Sequence, residues 1–182
     1  MFNVSFIIAG AILIPGSNIT IKKVLYNKKR LAFITTLLKM GAQINIYNIS
    51  KEKNGMQACD IDVNYSQKLS PIHICSDNIM EMIDEIPIFC IIASFVIGET
   101  SIKDAKELKY KESNRLKAIY DNLKGMGANI SMTNNGLIIN GGKKLYNTTI
   151  NHYNDHRIAM SFEILRLALG LNMTYEYEDI IN

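Results

Sequence analysis

The sequence predicts an α+β fold built from repeated helix-and-sheet units, each with a buried helix. Three observations carry that expectation. Arg30-Leu31 leads to Leu38-Lys39-Met40-Gly41-Ala42-Gln43-Ile44, and Arg115-Leu116 leads in the same way to Leu123-Lys124-Gly125-Met126-Gly127-Ala128-Asn129-Ile130. A second echo is threefold: Ile7-Ile8-Ala9, Ile91-Ile92-Ala93 and Arg157-Ile158-Ala159 each open a nearly continuous apolar helix, and self-similarity of this kind marks a supersecondary unit used more than once. The composition agrees. The 182 residues are 48% hydrophobic and 20% charged, the range of a folded domain with a core, which excludes a disordered or fibrous chain.

The first unit, about 1–66, begins with the apolar stretch from Phe6 to Ile14, ending near Gly16. It falls far short of the roughly 20 apolar residues needed to span a bilayer, and no basic residue precedes it, so it reads as a buried helix and not as a membrane or signal segment. Ile19 to Val24 follows as a strand, then the helix of the first echo, then strands at Ile44 to Tyr47 and Ile61 to Tyr65. The second unit, about 70–140, opens on an extended segment at Pro71 to Cys75. Asp84 is expected to cap the next buried helix, which Pro87 helps to start and which ends near Gly98 ahead of a strand at Thr100 to Lys103. Leu116, Ile119, Leu123 and Met126 then recur on one face of an amphipathic helix closed by Gly127. Ile130 to Thr133 and Leu137 to Ile139 form a hairpin about Asn134-Asn135-Gly136. The third unit, about 148–182, runs from an extended Thr148 to Tyr153 through a helix ending at Gly170 to a strand at Met173 to Tyr177. Met1 to Ser5 alone precede the first helix, and the third unit stops after one strand. The pattern predicts a single incomplete domain, cut at both ends and not naturally shortened.

Twenty Lys and Arg against 17 Asp and Glu give a net charge of +3, with no basic block or aromatic-interleaved patch. Nucleic-acid binding would need a stronger electrostatic footprint, so a small anionic ligand is expected instead. Cys59, Cys75 and Cys90 form no C-x-x-C pair, and His73, His152 and His156 add no zinc spacing. A reducing, cytoplasmic setting without a metal is the simplest reading. Asn-x-Ser/Thr triplets such as Asn18-Ile19-Thr20 read as chance in an Asn-rich chain.

Three polar clusters stand at helix openings. In Lys111-Glu112-Ser113-Asn114-Arg115, Ser113 is the expected N-cap and Glu112 faces the positive helix end; capping with a solvated charge run would be enough to account for this cluster alone. In Asn154-Asp155-His156-Arg157, capping by Asn154 or Asp155 explains one residue, but a His-Arg pair directly ahead of Ile158-Ala159-Met160 is costly near a core unless an anion is bound. The third is Asp84-Glu85-Ile86-Pro87. If the helices run parallel, the clusters and their dipole ends converge on one face suited to phosphate or carboxylate.

Together with Met82-Ile83 ahead of the third cluster, Ile14-Pro15-Gly16-Ser17 and Met40-Gly41-Ala42, these motifs resemble the EPSP synthase family nearly end to end. The resemblance implies the EPT/RTPC-like fold of two similar domains, each of threefold repeats with parallel buried helices and sheets outside, with this chain as most of the later one and its companion domain absent. It implies transfer of the enolpyruvyl group from phosphoenolpyruvate to the 5-hydroxyl of shikimate 3-phosphate, releasing phosphate, with no metal or organic cofactor. By motif match, Asp84 would hold and help deprotonate the hydroxyl, and Glu112 would bind phosphoenolpyruvate and move the proton at its methylene carbon. Arg115 and Arg157 would grip phosphoenolpyruvate, His156 would line the same pocket, and Lys111 would meet shikimate 3-phosphate. The family usually has Asp where Asn114 stands, which is expected to alter how Arg115 is held. It also places most shikimate 3-phosphate ligands on the companion domain, so the chain alone is expected to be inactive. The related UDP-N-acetylglucosamine enolpyruvyl transferases share the repeat but lack the paired motifs. A non-catalytic remnant, or a half that works only with a partner chain, is the alternative of another class.

Overall fold

The computed structural model describes residues 4–26, 31–51, 55–172 and 174–175. Residues 1–3, Arg30, Met173, Glu176 and Tyr177, which figure in the expectations above, lie outside the described residues. In chain order the elements are α1 (Val4–Leu13), β1 (Asn18–Leu25), α2 (Ala32–Lys39), β2 (Ile44–Lys51), β3 (Gln57–Asn64), β4 (His73–Ile74), α3 (Ser76–Glu81) and α4 (Ile86–Phe95), the last entered through a 3-10 turn at Ile83–Glu85. There follow β5 (Gly98–Ile102), a 3-10 turn at Lys106–Tyr110, α5 (Arg115–Gly125), β6 (Asn129–Thr133), β7 (Gly136–Gly141), β8 (Thr149–Ile150), α6 (His156–Leu169) and β9 (Thr174–Tyr175).

Among the described residues three sheets form, each drawn from one stretch of sequence: β1-β3-β2, all antiparallel, β4-β5-β7-β6, and β8-β9. Within the second and third, β4 pairs with β5 and β8 with β9 in parallel. A parallel pair requires a crossover, and α4 and α6 supply it.

The helices α1, α4 and α6 contact one another and run in the same direction, as their ends show. Arg157 in the first turn of α6 reaches Asp84 ahead of α4 at 3.5 Å. At the other end Phe95 of α4 and Leu169 of α6 line one cavity, while Leu13 of α1 and Phe95 line another. Helices apolar on all sides, as α1 and α4 are, must be surrounded, and Ile8, Ile12, Phe89, Ile92 and Phe162 are all at most 1% exposed. The expected fold is thus the observed one. None of the helices in the described residues is long and apolar enough to cross a membrane.

Two local expectations are corrected. Ile91-Ile92-Ala93 lies in the second half of α4 and not at its opening; the start falls where Pro87 was expected to help set it, in the first turn, where the absent N–H has no partner to lose. The hairpin loop is Asn134-Asn135 alone, since Gly136 already pairs with Thr133 as the first residue of β7. Gly136 is there because the Ile102 carbonyl oxygen lies 1.8 Å from where a Cβ would be, a contact no side chain survives. Gly136→Ala should therefore cost about 3 kcal/mol through forced backbone displacement. Gly125→Ala, at the end of α5 with nothing nearer than 3.9 Å, should gain roughly 0.5 kcal/mol from helix propensity. Urea midpoints of the two variants, measured side by side, check the contrast.

Candidate active site

Three segments bring polar side chains to the amino ends of α4, α5 and α6. The α5 cap is Asn114, whose Oδ1 accepts the Lys117 N–H at 3.1 Å. Ser113, the expected cap, instead donates its hydroxyl to Asp155 Oδ2 at 3.1 Å. At α6 the cap is Asp155, whose Oδ1 accepts the N–H groups of Arg157 and Ile158. Asp84 was expected to cap α4 but makes no capping bond. Its carboxylate faces cations instead.

Arg115 lies at the centre, 1% exposed. Its Nε donates to Asp155 Oδ2 at 2.7 Å, its Nη1 to Asp84 Oδ1 at 3.1 Å, and its Nη2 to both Glu112 Oε2 and, at 3.4 Å, Asp155 Oδ1. Arg157, also 1% exposed, donates from Nη1 to the Asp84 carbonyl at 2.7 Å and brings Nη2 to 3.5 Å from Asp84 Oδ2. Lys111 Nζ is 3.8 Å from Asp84 Oδ1, and His156 Nδ1 is 3.9 Å from Glu112 Oε1. All six residues singled out in the sequence therefore belong to one connected network. The Asn114 side chain goes to the Lys117 N–H, and the Arg115 guanidinium is held by three carboxylates.

Asp155 is the partner that sequence reasoning missed. It was visible as a cap, but its pairing with Arg115 spans 40 positions, and no local signal marks such a contact. Burial alone would raise its carboxyl, yet the hydrogen bond and charge of Arg115, with the Arg157 N–H and the Ser113 hydroxyl, hold it below the ordinary carboxylate range. Arg115 is pushed down by burial and, more strongly, up by Asp155, Glu112 and Asp84, ending above its ordinary value. For Arg157 burial prevails and lowers it, against the opposing charges of Asp84 and Glu85. Glu85, next to Asp84, is raised by burial first and by Asp84, with Arg157 opposing.

These shifts have opposite consequences for stability. A carboxyl raised in the fold favours the fold below its unfolded value, near pH 4, and that contribution is lost as pH climbs through the raised value; the lowered Asp155 contributes above about pH 4 and is lost as pH falls through its own value. Glu85→Gln should thus flatten the decline in unfolding free energy that begins above about pH 4 while leaving the acid limb in place. Urea titrations at stepped pH check this, and an unchanged slope would mean that Glu85 is not protonated on folding.

Three cations, Lys111, Arg115 and Arg157, meet four carboxylates, Asp84, Glu85, Glu112 and Asp155. Each of these cations therefore already faces a carboxylate. Glu112 and Asp84 side chains are 49% and 38% exposed, whereas Asp155 is 0% exposed. The first two reach solvent, and Asp155 does not. Glu112, Asp155 and His156 each bring a possible metal-donor atom within 4.8 Å of the others, but a cation there would compete with Arg115, which already sits on both carboxylates.

A sequence-family model described as EPSP synthase (3-phosphoshikimate 1-carboxyvinyltransferase) matches residues 2–180. The chain is 46% identical over 160 residues, 88% of its length, to the 3-phosphoshikimate 1-carboxyvinyltransferase of Thermodesulfovibrio yellowstonii, and covers 37% of that relative. It is 34% identical over 177 residues to the protein of the same name from Aquifex aeolicus, covering 97% of this chain and 41% of the relative. Among solved structures, EPSP synthase from Acinetobacter baumannii superposes with a TM-score of 0.89 at 32% identity, over 96% of this chain and 41% of that one. The enolpyruvyl transferase NikO from Streptomyces tendae shares the fold, with a TM-score of 0.70 at 15% identity, over 96% of this chain and 37% of that one. The chain thus spans about two fifths of the length of the proteins it resembles.

Proposed function

The chain belongs to the EPSP synthase family, and from that premise we propose that it supplies about half of an active site that transfers the enolpyruvyl group of phosphoenolpyruvate to the 5-hydroxyl of shikimate 3-phosphate. The observation that supports the reading is the convergence of Asp84, Lys111, Glu112, Arg115, His156 and Arg157 from three separate segments. In the same reading the chain is one incomplete domain of three units, about 1–66, 70–140 and 148–182. A companion domain closes over it and brings further ligands for shikimate 3-phosphate. The setting is cytoplasmic, in keeping with three free cysteines.

The chemistry asks for three things of these residues. The attacking hydroxyl must lose its proton as its oxygen bonds to the central carbon of phosphoenolpyruvate, and Asp84 is the carboxylate assigned to it. The methylene carbon must gain a proton before phosphate leaves and lose one afterwards, so that the vinyl ether is transferred intact; Glu112, with Oε2 on Arg115 and Oε1 toward His156, is assigned this shuttle. The anionic groups must be held: Arg115 and Arg157 take phosphoenolpyruvate as Glu112 and Asp84 shift toward their proton-transfer positions, His156 lines that pocket, and Lys111 takes the shikimate phosphate side. No metal is assigned a part.

The test is a chimera in which this chain replaces the matched segment of the Aquifex aeolicus relative. Phosphate release that requires both substrates is the expected result, with none from the chain alone. A chimera that unfolds cooperatively yet releases no phosphate would overturn the reading.

A further inference from the structure

We infer that Asn122, two turns along α5 from Arg115, is a positioning residue that fixes the loop carrying Asp155, His156 and Arg157. Its bearing on catalysis rests on the function proposed above, while its effect on the ion-pair network can be read without any substrate.

Asn122 is 5% exposed, a polar side chain on the inner face of a helix. Its Nδ2 donates to the Asn151 carbonyl at 2.7 Å and to the Ala118 carbonyl at 3.0 Å, and its Oδ1 accepts the Asn151 N–H at 3.0 Å. One carboxamide thus satisfies both backbone groups of one residue, as a neighbouring strand would. The loop that begins there is not one the chain adopts unaided. Tyr153 and Asn154 have φ of 54° and 55°, a left-handed conformation that a bulky residue such as Tyr holds only when its surroundings impose it. The impositions are visible: Asn151 Oδ1 accepts the Tyr153 N–H at 2.8 Å, His152 Nδ1 accepts the Asn154 N–H at 3.0 Å, and Asp121 Oδ2 accepts the Tyr153 hydroxyl at 2.9 Å.

Arg115 and Asn122 are seven positions apart (122 minus 115), which puts them on the same side of α5 and roughly 10 Å apart along it. The helix therefore grips the same loop at two points, Asn122 on Asn151 and Arg115 on Asp155. Four residues later than the first grip, Asp155 arrives at 2.7 Å from Arg115 Nε. If the Asn151 grip is released, the strained loop can relax and Asp155 is no longer delivered to that distance.

The readout is hydrogen exchange of the Arg115 Nε–H, followed by NMR on the full chain with no ligand present. Asn122→Leu removes every bond of the carboxamide, Asn122→Asp keeps the acceptor for the Asn151 N–H and loses the donor, and Ile61→Val, in the buried centre of β3, serves as a control that destabilises without touching α5. Compared at equal global stability, Asn122→Leu should speed exchange at Arg115 by about tenfold or more over the control, the scale of one lost buried hydrogen-bonded pair, with Asn122→Asp in between. A folded Asn122→Leu that exchanges at the control rate overturns the inference. Should that variant not fold, Asn122→Asp decides: a wild-type rate overturns the inference, and a faster one sustains it. Turnover by the chimera tests the proposed function separately, and its failure leaves the exchange comparison untouched.

Discussion

Replacing Asp155 by alanine should cost the fold about 3–5 kcal/mol, the range seen when one partner of a buried ion pair is removed and the other charge stays buried. Arg115 cannot escape to water, because its side chain is 1% exposed at the foot of α5. Two carboxylates would remain on it, Asp84 and Glu112, but both are more than a third exposed and lose part of their attraction to solvent screening. Asp155 also caps α6 through the Arg157 and Ile158 N–H groups, a role worth roughly 1 kcal/mol. Asp155→Asn keeps one oxygen, which can still cap α6, but turns its NH2 donor toward the Arg115 Nε–H and loses the charge, so it should recover only about the cap's share of the loss, roughly 1 kcal/mol. Urea unfolding at neutral pH measures both. A loss below about 1 kcal/mol for Asp155→Ala would show that Asp84 and Glu112 suffice to hold Arg115, and that the network does not depend on its one buried carboxylate.

How much of this was legible depends on whether the information is local. The face formed by Leu116, Ile119, Leu123 and Met126 and the apolar run at Phe6 to Ile14 declare their helices through spacing and hydrophobicity alone. For α4, Pro87 marked the start correctly, whereas the Ile91 echo misplaced it, since an apolar run buried on every side has no period to mark its first residue. In Asn134-Asn135-Gly136 all three residues favour turns, and what assigns Gly136 to the strand is the Ile102 backbone packed against it, 34 positions away in sequence (136 minus 102). Ser113 and Asn114 are both capping residues, and which one caps is settled by Asp155 recruiting Ser113.

The site was legible as a set of residues and much less so as a balance of charge. Helix openings rich in Arg, Lys and His suggested a positive face. A buried guanidinium, however, must be met by carboxylates, and the ones that meet Arg115 come from three segments that only the fold brings together. Asn122 illustrates the same limit: nothing in the spacing of the apolar stripe of α5 marks it, and only the return of the chain at Asn151 gives it a buried partner. The consequence for function is that an anion entering this half-site must compete with Glu112 and Asp84 for the two arginines.

In the chimera, Glu112→Gln should lower kcat by about 10²- to 10⁴-fold, the usual worth of a positioned proton-transfer group, while leaving the fold within roughly 0.5 kcal/mol because the side chain is half exposed. Glutamine has the same shape and still offers an oxygen to Arg115 Nη2, so the network around the guanidinium should persist. What it cannot do is carry a proton to and from a carbon. KM for phosphoenolpyruvate should change little, since the arginines that would hold its anionic groups are intact, and the split between kcat and KM separates a shuttle from a binding group. His156→Ala, which removes the imidazole 3.9 Å from Oε1, should lower kcat by a smaller factor, about tenfold. If Glu112→Gln instead keeps kcat within about threefold of the parent, far below the worth of a proton carrier, then Glu112 serves to hold Arg115 and the proton must reach the methylene carbon by another route.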